Sequence, residues 1–179
     1  IELKSAIQIE PNLTNARVLL ADLYLSKGQL DLADKEYNSA ITAGANSDSL
    51  LPKKAKIALL QNNYPEVLNL EFNSSHGDID LNVTLLVQQA LARFKLGEIE
   101  EGRASLIEAK ELAPENKYAK LGEVYLTAEK SLDSAVALAN ELKTQHPNFS
   151  EVFFIAGQLS SLNADFKSAI NSYQEHLSL

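Results

Sequence analysis

The sequence predicts an all-α solenoid, a series of stacked helical hairpins, on three observations. Helix exits marked by Pro and Asn recur as AIQIEPN at 6–12, AKELAPEN at 109–116 and NELKTQHPN at 140–148. Turn signals at Gly28, Asn62, Gly97, Lys130 and Ala164 stand 34, 35, 33 and 34 residues apart, a spacing typical of helical repeats. A small residue follows the turn by about five positions at Ala33, Gly102, Ala135 and Ala169, with Val67 the larger exception, which lets paired helices approach closely. Bulky residues just after each turn, Leu30, Tyr64, Ile99, Leu132 and Phe166, are expected to wedge into the crease between helices.

The elements follow in order. A partial first helix covers residues 1–13, and five hairpin units then occupy 14–47, 48–82, 83–114, 115–149 and 150–179. In the second unit Ser49 is expected to cap a helix from Leu50, with Pro52 in its first turn where a missing N–H does no harm, and Pro65 opens the next helix in the same way. That second helix gives way early to NSSHGD at 73–78. In the fourth unit LGEVY at 121–125 arrives about one residue too soon relative to SAVALAN at 134–140, so a slipped turn is expected, with Ser131 or Asp133 starting the second helix. No hairpin can bury its apolar face alone, so each must stack on the next.

Composition narrows the function. The 179 residues are 45% hydrophobic, enough for a substantial core, and the net charge of −8 argues against polyanionic partners, nucleic acid among them. The one tight basic cluster, KKAK at 53–56, reads as a solvated helix face. There is no cysteine, which removes disulfides, thiol catalysis and thiolate metal sites. No run approaches the roughly 18 apolar residues of a membrane span, so direct membrane insertion is not expected. The opening IELKSAIQIEPN reads as the tail of a helix already under way, and the chain as a piece of a longer polypeptide with a raw stacking face at either end. End-to-end self-association is therefore expected.

The hairpin pattern resembles the tetratricopeptide repeat. In the opening hairpin the matching residues are Leu20, Ala21, Tyr24, Ala33, Tyr37 and Ala40, and in the last they are Phe153, Ala156, Gly157, Ala169 and Tyr173. The resemblance extends over essentially the whole chain. It departs in the second unit, where Ala58 stands in place of the usual tyrosine and Val67 in place of a small residue. It implies a superhelical all-α array that binds proteins and has no catalytic centre.

Chemistry-bearing clusters are few. Ser74, Ser75, His76 and Asp78 crowd together in a polar linker, but a nucleophilic triad needs members converging from rigid supports, and these residue types are ordinary turn formers. His76, His146 and His176 have no partner at metal-binding spacing, the acids of GEIEEGR at 97–103 suit a helix start, and no cofactor loop is present. Sequons at Asn12, Asn73, Asn82 and Asn148 read as coincidence in an Asn- and Ser-rich chain.

A repeat array offers a concave groove lined by the first helix of each hairpin, suited to an extended or helical peptide. The candidates are Asn15, Val18, Asp22 and Leu25, then Ser49, Pro52, Lys56 and Leu59. The third unit supplies Thr84, Val87, Leu91 and Phe94, and the fifth Glu151, Phe154, Gln158 and Ser161. Packing against neighbouring helices is the competing role for Val87, Leu91, Phe94 and Phe154. Co-chaperones of this family grip acidic tails with a basic clamp; Val18 and Asp22 occupy its first two places here, which disfavours a carboxylate ligand.

The leading expectation is a non-enzymatic scaffold or adaptor. More narrowly, residues 40–44 (AxxxG), 50–55 (LLPxxA) and 64–67 (YxEV) are similar to bacterial envelope tetratricopeptide lipoproteins linked to exosortase and PEP-CTERM sorting, which implies a periplasmic role in polysaccharide and protein export. Two alternatives are a docking arm of a larger export porin or transferase, and a passive spacer.

Overall fold

The computed structural model describes residues 2–72 and 78–179, and the described residues contain eleven helices and no strand. They fall into two compact units, Ile1–Gly102 and Arg103–Leu179.

The first unit holds α1 (Glu2–Ile9), α2 (Thr14–Ser26), α3 (Leu30–Thr42), α4 (Ser47–Leu60), α5 (Tyr64–Leu68) and α6 (Ile79–Leu96), and α7 (Ile99–Leu112) begins in it. Two core clusters organise it. One joins Ala21, Ala33, Tyr37 and Ala40 of the α2–α3 hairpin to Leu50 and Ile57 of α4. The other joins Leu51, Ala55 and Ala58 of α4 and Val67 of α5 to Leu85 and Ala92 of α6. The second unit holds α8 (Lys117–Ala128), α9 (Leu132–Gln145), α10 (Ser150–Leu162) and α11 (Phe166–Ser178) around Leu121, Val124, Leu142, Phe149, Val152 and Phe153.

Four of the five hairpins turn the same way. Gly28, Asn62, Gly97 and Ala164 adopt left-handed backbone, with φ of 67°, 59°, 84° and 58°. The next residue's N–H reaches back five positions, as in Gln29 to the Tyr24 carbonyl (2.9 Å) and Asp165 to that of Ser160 (2.9 Å), closing the paired bonds of a Schellman motif. The fourth hairpin lacks this, as the early arrival of residues 121–125 predicts. Glu129 stays in right-handed helical backbone, Ser131 N–H bonds the Thr127 carbonyl, and the Ser131 side chain caps α9 by accepting from Ser134 N–H. Ala164 is the one alanine among these turns, and left-handed backbone costs an L-residue about 1–2 kcal/mol. Ala164→Gly is expected to stabilise the chain by about 1 kcal/mol, since glycine carries no Cβ penalty there; a thermal melt with an unchanged or lower midpoint contradicts this.

The second hairpin departs furthest. Helix α5 stops after five residues because Gln89 Nε2 of α6 donates to the Leu70 carbonyl (3.0 Å) and the Val67 carbonyl (3.4 Å), acceptors a longer helix would use itself. Leu70 and Phe72, in the non-helical chain that follows, then pack against the core. The two irregular residues, small Ala58 and larger Val67, share that core cluster, so one offsets the other in volume.

Three expectations are corrected. Helix α4 begins at Ser47, and its cap is Asn46, whose side chain accepts from Asp48 N–H (3.0 Å); Ser49 Oγ instead donates to the Asn46 carbonyl (2.7 Å). Pro52 is thus the sixth helical residue, beyond the first turn, where it contributes no N–H to the ladder. Ile99 and Phe166 are exposed and do not wedge into a crease.

Gln88 of α6 braces the proline-bearing turn by donating Nε2 to the Pro52 carbonyl (2.9 Å), while its buried Oε1 has no partner in the structure. Removing a bond together with an orphaned polar atom is nearly neutral, whereas truncation leaves a cavity as well. Gln88→Leu is expected to change stability by less than about 1 kcal/mol and Gln88→Ala to cost about 2 kcal/mol. Equal losses in urea titrations of the two variants would contradict this.

Candidate functional site

The groove candidates of the first unit are largely occupied with holding the fold. Asn15 is exposed, but Val18 and Leu25 are half-buried against the core and Leu59 packs on the next cluster. Asp22 accepts from the Tyr37 hydroxyl (2.5 Å) and, through both carboxylate oxygens, from Lys53 Nζ (2.6 and 2.9 Å), so one carboxylate ties α2 to both α3 and α4. The Tyr37 hydroxyl titrates well above the usual tyrosine range, because burial and then its bond to Asp22 both favour the neutral form. Lys56 is half-buried. Val87 is 1% exposed and belongs to the core, and Ser49, Pro52 and Thr84 also have folding contacts or burial. Leu91 and Phe94 are half-buried; the Phe94 ring fills the space a side chain at Gly102 would need.

The basic run at 53–56 is likewise engaged. Lys53 is held by Asp22, and Lys54 by Asp34 (3.1 Å) and Asn38 (2.6 Å). Carboxylates already meet the two cations, which leaves them poor ligands for an external anion.

In the second unit Glu151, Phe154 and Gln158 recur at three- and four-residue spacing on one face of α10. Phe154 is 41% exposed and Gln158 is exposed, while Glu151 is half-buried. The Phe154 ring is braced by Tyr173 and His176, with centroids 6.0 and 5.4 Å away. His176 Nδ1 in turn lies 2.7 Å from Ser150 Oγ, tying the end of α11 to the start of α10. Ser161 is exposed.

Sequence reasoning missed the aromatic residues beside Glu151. Tyr118 Oη lies 3.5 Å from Glu151 Oε1, and the Tyr118 ring meets Phe149 edge-on at 4.9 Å. Lys117 Nζ stands over both rings, 5.5 and 4.9 Å from their centroids. Burial first, and the Glu151 charge second, push the Tyr118 and Tyr125 hydroxyls above the ordinary range. The available signal was the seven-residue spacing of Tyr118 and Tyr125, two turns apart on one helix face.

A separate hollow of about 610 Å³ lies beside α3, lined by Pro11, Asn12, Arg17, Asp34, Lys35 and Asn38 among others. Its polar, charged lining contrasts with the mostly apolar walls of small-molecule pockets. The cluster of Ser74, Ser75 and His76 and the sequon at Asn73 lie outside the described residues. At Asn82 the sequon's Thr84 hydroxyl donates to the Asp80 carbonyl inside α6. Among the described residues no three acidic or histidine side chains group to hold a metal ion, and no helix is long and apolar enough to cross a membrane.

Comparison with known proteins agrees with this architecture. Residues 14–43 match the family model of the tetratricopeptide repeat. No curated protein gives a significant sequence match. Solved structures do. YrrB, described as a TPR protein with an unusual peptide-binding site, is 17% identical over 98% of this chain and 91% of its own, with a TM-score of 0.50. PilF of Pseudomonas aeruginosa is 15% identical over 95% and 78%, with a TM-score of 0.59. A tetratricopeptide repeat protein of Parabacteroides merdae is 16% identical over 98% and 70%, with a TM-score of 0.55. At these identities the likeness shows the fold.

Proposed function

We propose that this chain, with a tetratricopeptide-repeat fold and an opening hairpin that matches the repeat model itself, is a non-enzymatic scaffold that holds a protein or peptide segment against the first helices of its hairpins. The observation that carries the reading is the face of α10, where an exposed aromatic ring stands between a carboxylate and an amide at helical spacing. Such a face supplies an apolar anchor with flanking polar groups, the usual composition of a side-chain pocket for a peptide. YrrB, of the same fold, is described as having a peptide-binding site, which supports the class of ligand. The stacked hairpins also support end-to-end association of the chain.

The test is a pull-down comparing the wild type with a Phe154→Glu, Gln158→Glu variant whose helicity and melting are checked first. Proteins retained by the wild type and lost by the variant are the expected result; identical retention would refute groove binding by α10. The spacer reading is favoured by one observation, that Asp22 and Val87 are engaged in the fold, and it predicts identical retention.

The narrower envelope reading rests on the sequence similarity of residues 40–44, 50–55 and 64–67. Each of those stretches has a folding role here. Ala40 is core and Gly44 is left-handed at φ 100°, Leu50, Leu51 and Ala55 are core, and Val67 is buried. Fractionation of the source cells with an antibody to the chain tests it, an envelope location being the expected outcome and an exclusively cytosolic one its refutation.

A further inference from the structure

We infer that the α10 face takes a basic side chain, an arginine or lysine of the bound segment, against the carboxylate of Glu151. The inference rests on the scaffold reading above and names the chemistry that this face selects.

Two helices build the site. Glu151 lies in the first turn of α10, and Tyr118 and Tyr125 stand two turns apart on α8, both packed at the edge of the second unit's core. Tyr118 Oη is 3.5 Å from Glu151 Oε1, at the outer limit of a hydrogen bond. Burial, and then the Glu151 charge, hold the two hydroxyls neutral, so they answer the carboxylate with dipoles and not with charge. A half-buried carboxylate in such surroundings forms its strongest hydrogen bonds with a cation.

Position in the repeat points to a ligand more than to the fold. Counted back from the left-handed turn residue, the counterparts of Glu151 in the first three hairpins are Asn15, Ser49 and Thr84, all neutral. Ser49 and Thr84 spend their hydroxyls on the backbone carbonyls of Asn46 and Asp80. Three hairpins are thus built without a charge at this place, and the last one adds it.

The neighbouring groups also suit a cation. One turn on from Glu151, Phe154 offers an exposed ring, and Gln158 beyond it an amide oxygen. An aromatic face attracts a cation, and a guanidinium can stack on a ring while its fork meets a carboxylate. Lys117 Nζ already stands over the Tyr118 and Phe149 rings, at 5.5 and 4.9 Å from their centroids, so aromatic faces here do hold an ammonium. The same lysine repels a second cation and so weakens the site. An acidic segment, by contrast, would meet Glu151 as a like charge, and the net charge of −8 favours the approach of basic ones.

Selection from a random peptide library on the immobilised full chain tests the inference, keeping those peptides that bind the wild type and not Phe154→Glu. Arginine or lysine is expected to recur at one place in them. A representative peptide should bind Glu151→Gln about tenfold more weakly, the usual loss for a charged hydrogen bond. It should bind Lys117→Ala more tightly, and its affinity for the wild type should fall as salt rises. Glu151→Gln keeps an acceptor for the Tyr118 hydroxyl. The matching change in the peptide, citrulline for arginine or acetyl-lysine for lysine, leaves the protein untouched and should cost as much. Peptides that need Phe154 but show no basic preference, or that tolerate both neutral changes, overturn the inference and leave the scaffold reading standing. Weaker binding to Lys117→Ala also overturns it, since the bound charge would then be negative. A library that yields no peptide needing Phe154 overturns both readings.

Discussion

Replacing Tyr37 by alanine is expected to destabilise the first unit by about 4 kcal/mol, the upper part of the range for a large buried aromatic. The ring is fully buried among Ala21, Ala33, Ala40, Leu50 and Ile57, so its loss opens a cavity where α2, α3 and α4 meet. The hydroxyl adds a second effect, because without it Asp22 keeps only Lys53 of these two partners. Tyr37→Phe separates the two and should cost about 1 kcal/mol, the net worth of one hydrogen bond. Urea unfolding of both variants checks the ratio. Comparable losses would mean that the hydroxyl, and not the packed ring, holds the three helices together.

Gly157→Val should cost about 3 kcal/mol through overpacking. A Cβ built at Gly157 of α10 would lie 2.6 Å from Cε1 and 2.8 Å from Cδ1 of Tyr173 on α11, so the ring must leave the crease for any side chain to enter. Gly157→Ala should cost less, since alanine recovers about 1 kcal/mol of helix propensity. Adding Tyr173→Leu to Gly157→Val should restore part of the loss, because the clash is specific to that ring. A double variant no more stable than Gly157→Val, in the same thermal melts, would place the damage elsewhere.

These two sites show what the sequence made legible. A close approach needs one small and one large partner; the regular beat of turns and small residues marks Ala33, Gly102, Ala135 and Ala169 in the sequence, and the repeat resemblance adds Gly157. The slipped fourth turn was also readable, because residues 121–125 fall out of register with the helix that follows. Other features depended on contacts distant in sequence. Helix α5 ends where Gln89 takes its carbonyls, nineteen residues after Leu70, and no local signal announces that bond. Asn46 displaced Ser49 as the cap because both are good capping residues and only the observed start of α4 decides between them.

The groove was less legible than the core for a physical reason. Positions spaced along a helix say which face a residue occupies but not how far a neighbour covers it. Thus Val87 and Phe154 look equivalent in sequence, yet one is core and the other exposed. Asp22 falls on the groove face by its spacing, yet Tyr37 and Lys53 both meet on its carboxylate.

The claim that α10 presents a binding face for a protein segment is tested most directly by photo-crosslinking in the source cells. A photoreactive phenylalanine analogue would replace Gln158 on that face in one variant and Lys130, exposed in the fourth turn, in another. A discrete adduct from position 158 that is absent from position 130, and is lost when Phe154→Glu is added, is the result expected. Equal adducts from both positions, or none from 158 in cells that contain the folded chain, would contradict the account.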